Sequence, residues 1–339
     1  MSRVYLDWNA TAPLRPEARA AMIAAMDCLG NPSSVHAEGR AAKSIVEKAR
    51  GQVAEAVGAS GADIVFTSSA TEAAALVLAG QNYFSSDLEH NCVSVWTGDT
   101  PQPLKSVAQQ LANNETGEIY DVEPATGFCD AVQAFGKIPY AFAWSGVERA
   151  IISSHKFGGP KGVGALIFKQ GIEVEAAIKG GGQEMGRRSG TENVIGIAGM
   201  GAAAQAAAKE LADGVWQIVE QNRNVFEERL LNEVPELIIF SKDGPRLPNT
   251  SYFAVKGWKA ETQVMQMDLA GFAVSAGSAC SSGKVKASRV LKAMGYDEIT
   301  AGSAIRVSIG PSTSAAELDS FADAWLKEYK RFKARQEGK

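Results

Sequence analysis

The sequence predicts an α/β protein, with a large domain built on a mostly parallel sheet and a smaller α+β domain after it. Three observations carry that expectation. Short apolar runs alternate with helical periodicity over the first two thirds of the 339 residues, as in strands joined by crossover helices. Ile64-Val65-Phe66 ends in Thr67-Ser68-Ser69, and a helix begins near Ala70 or Thr71, so a strand, a small-residue turn and a helix start follow in succession. A long helical stretch, 195–233, then leads into a region of different character. The boundary is placed near Asp213, with 14–212 as the large domain and 1–13 plus 213–339 as the small one.

The elements follow in order. Residues 16–27 read as a helix, and the loop NPSSVHAEG follows. Between 40 and 57, Ile45, Val46, Ala49, Val53 and Val57 recur three or four apart, one face of an amphipathic helix. The buried strand 64–66 and the helix through AAALVLAG come next; such a turn alone fits a plain βα connection as well as an anion site. Residues 93–96 (VSVW) read as a strand, 101–112 carry no decisive pattern, and 128–131, 150–153 and 163–168 read as strands. The Gly- and Ala-rich run 194–204 is too short to span a membrane and reads as a tightly packed internal helix. In the small domain, strands are expected at 237–240, 251–255 and 272–276, with a closing amphipathic helix over 315–334 and a short charged tail.

Composition narrows the function classes. Hydrophobic residues make up 45% and charged residues 21%, the balance of a soluble globular protein. A net charge of −4 advertises no surface for nucleic acid or membrane. The opening MSRVYLDWNATAPLRPE lacks the apolar core of a secretory signal. Four cysteines with no CxxC spacing are too few for a disulfide scaffold, and a reducing cytoplasm is the expected compartment. Three histidines in the whole chain speak against a metal site.

The stretch SSHKFGGPKGVGALIF, 153–168, concentrates the chemistry. Most lysines are exposed surface groups, but Lys156 follows a strand and a Ser-x-His pattern and meets a glycine-rich turn. Small residues leave room for a planar cofactor, and Ser153 and His155 add donors that suit a phosphate. A partly desolvated pocket favours the neutral, nucleophilic amine that imine formation needs.

With these residues in view, the chain resembles cysteine desulfurases of the NifS/IscS kind, within the class V aminotransferase group of pyridoxal-phosphate (PLP) enzymes of fold type I. YLDWNATAP, GNPSSVHAEGR, IVFTSSATEA, NNETG, DAVQAFGKIP, SSHKFGGPKGVGAL, GGGQEMGRRSGTENV, LPNTS, SAGSACSSGKV and IRVSIG resemble that family's landmarks, in its order. All three histidines, His36, His90 and His155, fall within or beside a landmark.

The resemblance implies a role for each matching residue. Lys156 is the Schiff-base lysine, Asp130 pairs with the pyridine nitrogen and Gln133 donates to the ring's phenolic oxygen. Ala70, Thr71, Ser153 and His155 form the phosphate cup, and Thr191 reaches the phosphate of a neighbouring subunit, which implies a homodimer with shared active sites. His90 stacks on the ring and shuttles protons, while Asn114 and Arg306 hold the cofactor face and the substrate carboxylate. Cys280 is the nucleophile that takes sulfur from L-cysteine, leaving a persulfide and releasing L-alanine. Its Gly-, Ser- and Ala-rich surroundings suggest a mobile loop able to swing the persulfide to an acceptor protein. Cys28, Cys92 and Cys129 match no role and are read as structural.

The chain also departs from the family. The stretches 71–90, 90–114 and 114–130 are short, and the second lacks the length of about one βα unit. A catalytic set is thus retained while part of the sheet's outer layer is trimmed, leaving surface that a partner or the dimer mate could cover. Met185 stands where the family has an arginine, and the stretch after Arg306 is shorter than in housekeeping members, where it helps dock an iron–sulfur scaffold, so the resemblance does not imply that docking here. The leading expectation is a cysteine desulfurase supplying iron–sulfur cluster assembly, tRNA thiolation or another pathway. The alternatives are another class V PLP enzyme, such as a selenocysteine lyase, and a degenerate homologue that serves as a binding subunit.

Overall fold

A computed structural model describes residues 3–98, 106–122, 126–277 and 287–337. The chain divides into two compact units, one of Thr11–Ala112 and Tyr120–Asp213, the other of Met1–Ala10, Asn113–Ile119 and Gly214–Lys339.

The first unit is organised by a six-stranded sheet in the order Ala62–Thr67, Gly164–Lys169, Arg149–Ser153, Thr126–Asp130, Ser106–Gln110, Tyr83–Phe84. Gly164–Lys169 runs antiparallel to both neighbours, and the remaining pairs are parallel. Thr126–Asp130 is buried along its whole length, as a central strand with both faces covered must be. Val65, Leu78, Val93, Phe128, Ile151 and Leu166 belong to one apolar cluster. The helices Pro16–Met26 and Ala37–Ala56 pack on Val194–Ala212. The last contains the Gly/Ala run read as an internal helix, and the contact shows why small residues stand there. A Cβ at Gly201 would lie 2.7 Å from the Ala49 Cα, so only glycine allows the two backbones this close.

Residues 93–96 are a correction. Asn91–Ser94 form a single helical turn, because the His90 ring accepts a hydrogen bond from the Cys92 amide and caps it (3.2 Å). Val93 still reaches the core from that turn, while Val95 faces solvent. The trimming read from the sequence has a structural counterpart. Among the described residues, only this one-turn helix lies between Tyr83–Phe84 and Ser106–Gln110, and no helix lies between Ser106–Gln110 and Thr126–Asp130.

In the second unit, four antiparallel strands run in the order Ser275–Ala276, Ala304–Ser308, Thr250–Ala254, Ile238–Ile239. The expected strand over 272–276 is two pieces in different sheets: Phe272–Ala273 pairs in parallel with Val4–Tyr5, and Ser275–Ala276 pairs with Ala304–Ser308. The helical stretch 195–233 is likewise two helices, Val194–Ala212 and Val215–Glu233, parted at Gly214, which takes the left-handed conformation (φ 77°). The core of this unit is aromatic: Phe253, Trp258, Phe321 and Trp325 are buried together.

One buried ion pair ties Val215–Glu233 to the chain just before Thr250–Ala254. Arg246 grips Glu227 with two parallel hydrogen bonds of 2.9 and 2.8 Å, both side chains being almost wholly buried. Arg246→Ala leaves a buried carboxylate unpaired and is expected to cost about 3–5 kcal/mol in urea unfolding. Replacing both partners by leucine or methionine recovers most of that loss. No helix among the described residues is long and apolar enough to cross a membrane.

Candidate active site

Strand register gathers the expected site residues of the first unit. Thr67 is paired with Gly164, and Gly164 with Ser153; Asp130 is paired with Ile151, and Gln110 with Asp130. The segments Ser68–Thr71, Ser154–Lys156 and Ala131–Gln133 therefore leave the sheet at one edge, the carboxyl ends of the parallel strands, where open α/β sheets bind ligands.

At this edge a small-residue cradle surrounds a helix start. A Cβ at Gly164 would come within 2.5 Å of the Ser69 carbonyl carbon and 2.7 Å of the Ala70 nitrogen, so the strand admits only glycine here. Ser69 caps the helix Ala70–Leu78, its hydroxyl accepting from the Glu72 amide (3.2 Å), and the Thr67 hydroxyl donates to the Ser69 carbonyl (2.8 Å). Ser154 Oγ and His155 Nδ1 are buried and have no hydrogen-bond partner among the described residues. Unpaired buried polar atoms are costly, and an anion's oxygens would satisfy donors placed here. Burial first, then the positive charges of Lys156 and Lys161, press the His155 imidazole down to about 4. It is therefore neutral at pH 7 and offers hydrogen bonding rather than charge. Thr71 and Thr191 are exposed. Thr191 shares a cavity of about 130 Å³ with Thr67, Ser68 and Arg188.

The second cluster carries the titratable groups. Asp130 ends its strand buried, with Oδ1 accepting from the Val132 amide (2.9 Å). Burial pushes its carboxyl up, and the Val132 hydrogen bond and the charges of His90 and Lys156 pull it back. A cationic ring nitrogen at Asp130 would add the opposite charge that burial calls for. Lys156 closes a 3₁₀ turn, Ser154–Lys156, half-buried and within electrostatic reach of both Asp130 and His155. His90 uses Nδ1 to accept from the Cys92 amide, with the Cys92 sulfur 3.0 Å from the same nitrogen. Cys92 and Cys129 are buried thiols whose ionisation burial suppresses, consistent with structural roles. Gln133 is buried, and its Oε1 accepts from the buried Lys137 ammonium (2.7 Å). Since lysine only donates, this fixes the amide with Nε2 as its donor end.

In the second unit, Arg306 is buried on the strand Ala304–Ser308. Its Nη1 donates to the Asn114 carbonyl (2.7 Å) and its Nη2 pairs with Asp7 (2.9 Å), while Nε is buried and lacks a partner among the described residues. Asn9 steadies the same Asn114 carbonyl from its side-chain amide (3.3 Å). Cys280 lies outside the described residues.

The structure thus brings together Ala70, Ser153, His155 and Lys156 with Asp130, Gln133 and His90 in one unit, and Asn114 with Arg306 in the other. Sequence reasoning passed over Ser154, Lys137 and Asp7. Each lies inside a landmark, and each is a polar residue next to one buried neighbour. It also passed over the brace behind the cradle. Arg50 forms two hydrogen bonds with the buried Glu184 (2.8 and 3.0 Å), Glu184 accepts from the Phe66 amide (3.0 Å), and Arg188 grips Glu72 (2.8 Å).

The family described as Aminotransferase class-V matches residues 4–124 and 100–321. A cysteine desulfurase of Cereibacter sphaeroides is 36% identical over 366 aligned positions, covering 94% of each chain. The solved structure of a NifS-like protein from Rickettsia africae superposes with a TM-score of 0.88 at 30% identity, covering 97% of this chain and 99% of that one. A structure described as SspA in complex with cysteine gives 0.75 at 25% identity, covering 92% of this chain and 100% of that one.

Proposed function

The chain belongs to the class-V aminotransferase family and is a cysteine desulfurase of fold type I; we propose that Lys156 and Cys280 are the two residues that carry its reaction. Overall, the Cβ–Sγ bond of L-cysteine breaks, a sulfur–sulfur bond forms at Cys280, and the carbon keeps the electron pair and takes a proton to become the methyl group of L-alanine. The family works with pyridoxal phosphate, whose ring, when bound, stores the electron pair released at the substrate's Cα. Buried polar atoms without partners among the described residues and a glycine-only cradle, set at the carboxyl ends of the strands, are the observation that supports a phosphate-bearing ligand in this chain.

Lys156 binds the cofactor covalently through Nζ. Ala70, Thr71, Ser153 and His155 hold its phosphate, with Ser154 as a further donor. Asp130 keeps the ring nitrogen protonated, and Gln133, oriented by Lys137, donates from Nε2 to the phenolic oxygen. His90 moves a proton at Nε2, because Nδ1 is occupied by the Cys92 amide. Asn114 steadies the cofactor, and Arg306, with its buried Nε donor, binds the substrate carboxylate. Thr191, exposed beside the helix start, serves the phosphate of a second copy in a homodimer. Cys280 needs a reducing compartment, for which the cytoplasm is the natural choice. The persulfide then passes to an acceptor protein.

The test uses purified protein loaded with pyridoxal phosphate. It is expected to be yellow, and to release alanine and sulfide from L-cysteine with a reductant. Cys280→Ser keeps the colour and lowers sulfide release about 10³-fold or more. Sulfide release at the wild-type rate from that variant would overturn the assignment of Cys280.

A further inference from the structure

His90 stands on a thin part of the first unit. Among the described residues, a single helical turn, Asn91–Ser94, lies between Tyr83–Phe84 and Ser106–Gln110, too short to hold a ring in place by itself. A polar clasp lies directly before it. Glu89, almost wholly buried, accepts a hydrogen bond at Oε1 from the Gln110 backbone amide (2.7 Å). The Gln110 side chain, also buried, donates in return from Nε2 to the Leu88 carbonyl (2.8 Å). We propose that Glu89 and Gln110 are positioning residues: their two-way clasp fixes residue 90 against the strand beside Asp130, and so sets where the His90 ring can move a proton.

Both ends of the clasp are themselves held. Gln110 ends its strand paired with Asp130, and the next amide, of Leu111, donates to the Asp130 carbonyl (2.9 Å). On the loop side, the Leu88 amide donates to Ser86 Oγ (3.3 Å) and the Glu89 amide to the Ser86 carbonyl (3.2 Å), which closes the turn. After residue 90, the Val93 and Ser94 amides donate to the His90 carbonyl (2.9 and 3.1 Å), and the Cys92 amide donates to the ring (3.2 Å). His90 is thus fixed from both sides, with its charge bearing on the Asp130 carboxyl. Glu89 meets Gln110 as an acceptor, a task that a glutamine oxygen can also perform. Without an acceptor there, the Gln110 amide loses this partner and the loop can drift from the strand; a shift of about 1 Å at a reacting group is enough to slow chemistry about 10²-fold.

This inference rests on His90 moving a proton, and its test separates the two. Glu89→Leu, Glu89→Gln and Gln110→Leu are compared with wild type in the cofactor-loaded enzyme, and Glu89→Leu is repeated in a His90→Ala background. Three quantities are read: kcat and KM for L-cysteine, the visible absorption band, and the NMR signals of the His90 ring, with the exposed His36 as internal reference. Glu89→Leu is expected to lower kcat about 10- to 100-fold, with KM within about twofold and the band retained. It also shifts the His90 ring signals and leaves those of His36 in place. In the His90→Ala background, itself slower than wild type by about 10²-fold or more, the same change costs less than about threefold, because both act through one group. Glu89→Gln keeps the acceptor and stays within about threefold of wild type in kcat. Unchanged kcat or unchanged His90 signals in Glu89→Leu overturn the proposal, as does a glutamine variant as impaired as the leucine one, or a full further loss without His90. If Glu89→Leu does not fold, Gln110→Leu removes the return bond alone and is expected to give a smaller loss of the same kind, about 3- to 10-fold; no change in it overturns the proposal. Turnover at the wild-type rate in His90→Ala would sink the proton role, and the ring signals of Glu89→Leu then decide alone whether the clasp holds residue 90.

Discussion

Lys156→Ala, incubated with pyridoxal phosphate, is expected to remain without the visible absorption band and to release sulfide from L-cysteine about 10⁴-fold or more slowly than wild type. The effect is large because the substitution removes the proposed imine-forming amine, while Lys161, whose charge also acts on His155, is exposed. Lys137, a buried lysine of this region, is engaged with Gln133. Loss of the charge also changes its neighbours. The Lys156 charge helps hold the His155 imidazole down and the Asp130 carboxyl down, so its removal lets both rise. Lys156→Arg restores the charge without a nucleophile and is expected to leave the activity loss intact while returning His155 toward its wild-type titration by NMR. An absorption band and turnover surviving in Lys156→Ala would remove the basis of the functional assignment.

Asp130→Asn is expected to have opposite effects on two quantities. In the cofactor-loaded enzyme it removes the anion that keeps the ring nitrogen protonated, and kcat falls about 10²- to 10³-fold, the scale of losing one preorganised electrostatic partner. In the cofactor-stripped protein it stabilises the fold. Burial raises the Asp130 carboxyl above its unfolded value. Such a group favours the folded state below the unfolded pKa, and its contribution is lost as pH rises through the folded pKa. Above that value the stripped wild type carries a buried carboxylate, whereas asparagine carries no charge. Thermal unfolding of the stripped proteins should therefore give a higher midpoint for Asp130→Asn at pH 8, with the difference shrinking toward pH 4. Cofactor binding should raise the midpoint of wild type more than that of the variant, because only the wild type gains an ion pair to the ring. A stripped variant less stable than wild type at pH 8 would contradict the electrostatic account of Asp130.

By itself the sequence determined the α/β class, the family and most strands and helices. Those features are local. Apolar periodicity marks the helix now seen at Ala37–Ala56, and short buried runs mark Arg149–Ser153 and Gly164–Lys169. Landmark motifs place Lys156, Asp130 and Arg306 without reference to distant partners. Tertiary structure decided what depends on partners far along the chain. VSVW has the residues of a strand, but the His90 cap and the pull of Val93 into the core make a helical turn of its start. The run 272–276 is locally uniform and splits between two sheets because Val4–Tyr5 pairs with one half and Ala304–Ser308 with the other. The partners of Arg306, Gln133 and Glu89 could not be read for the same reason. A side chain's residue type states which hydrogen bonds it can make, and only the packed fold decides which groups stand within 3 Å to make them.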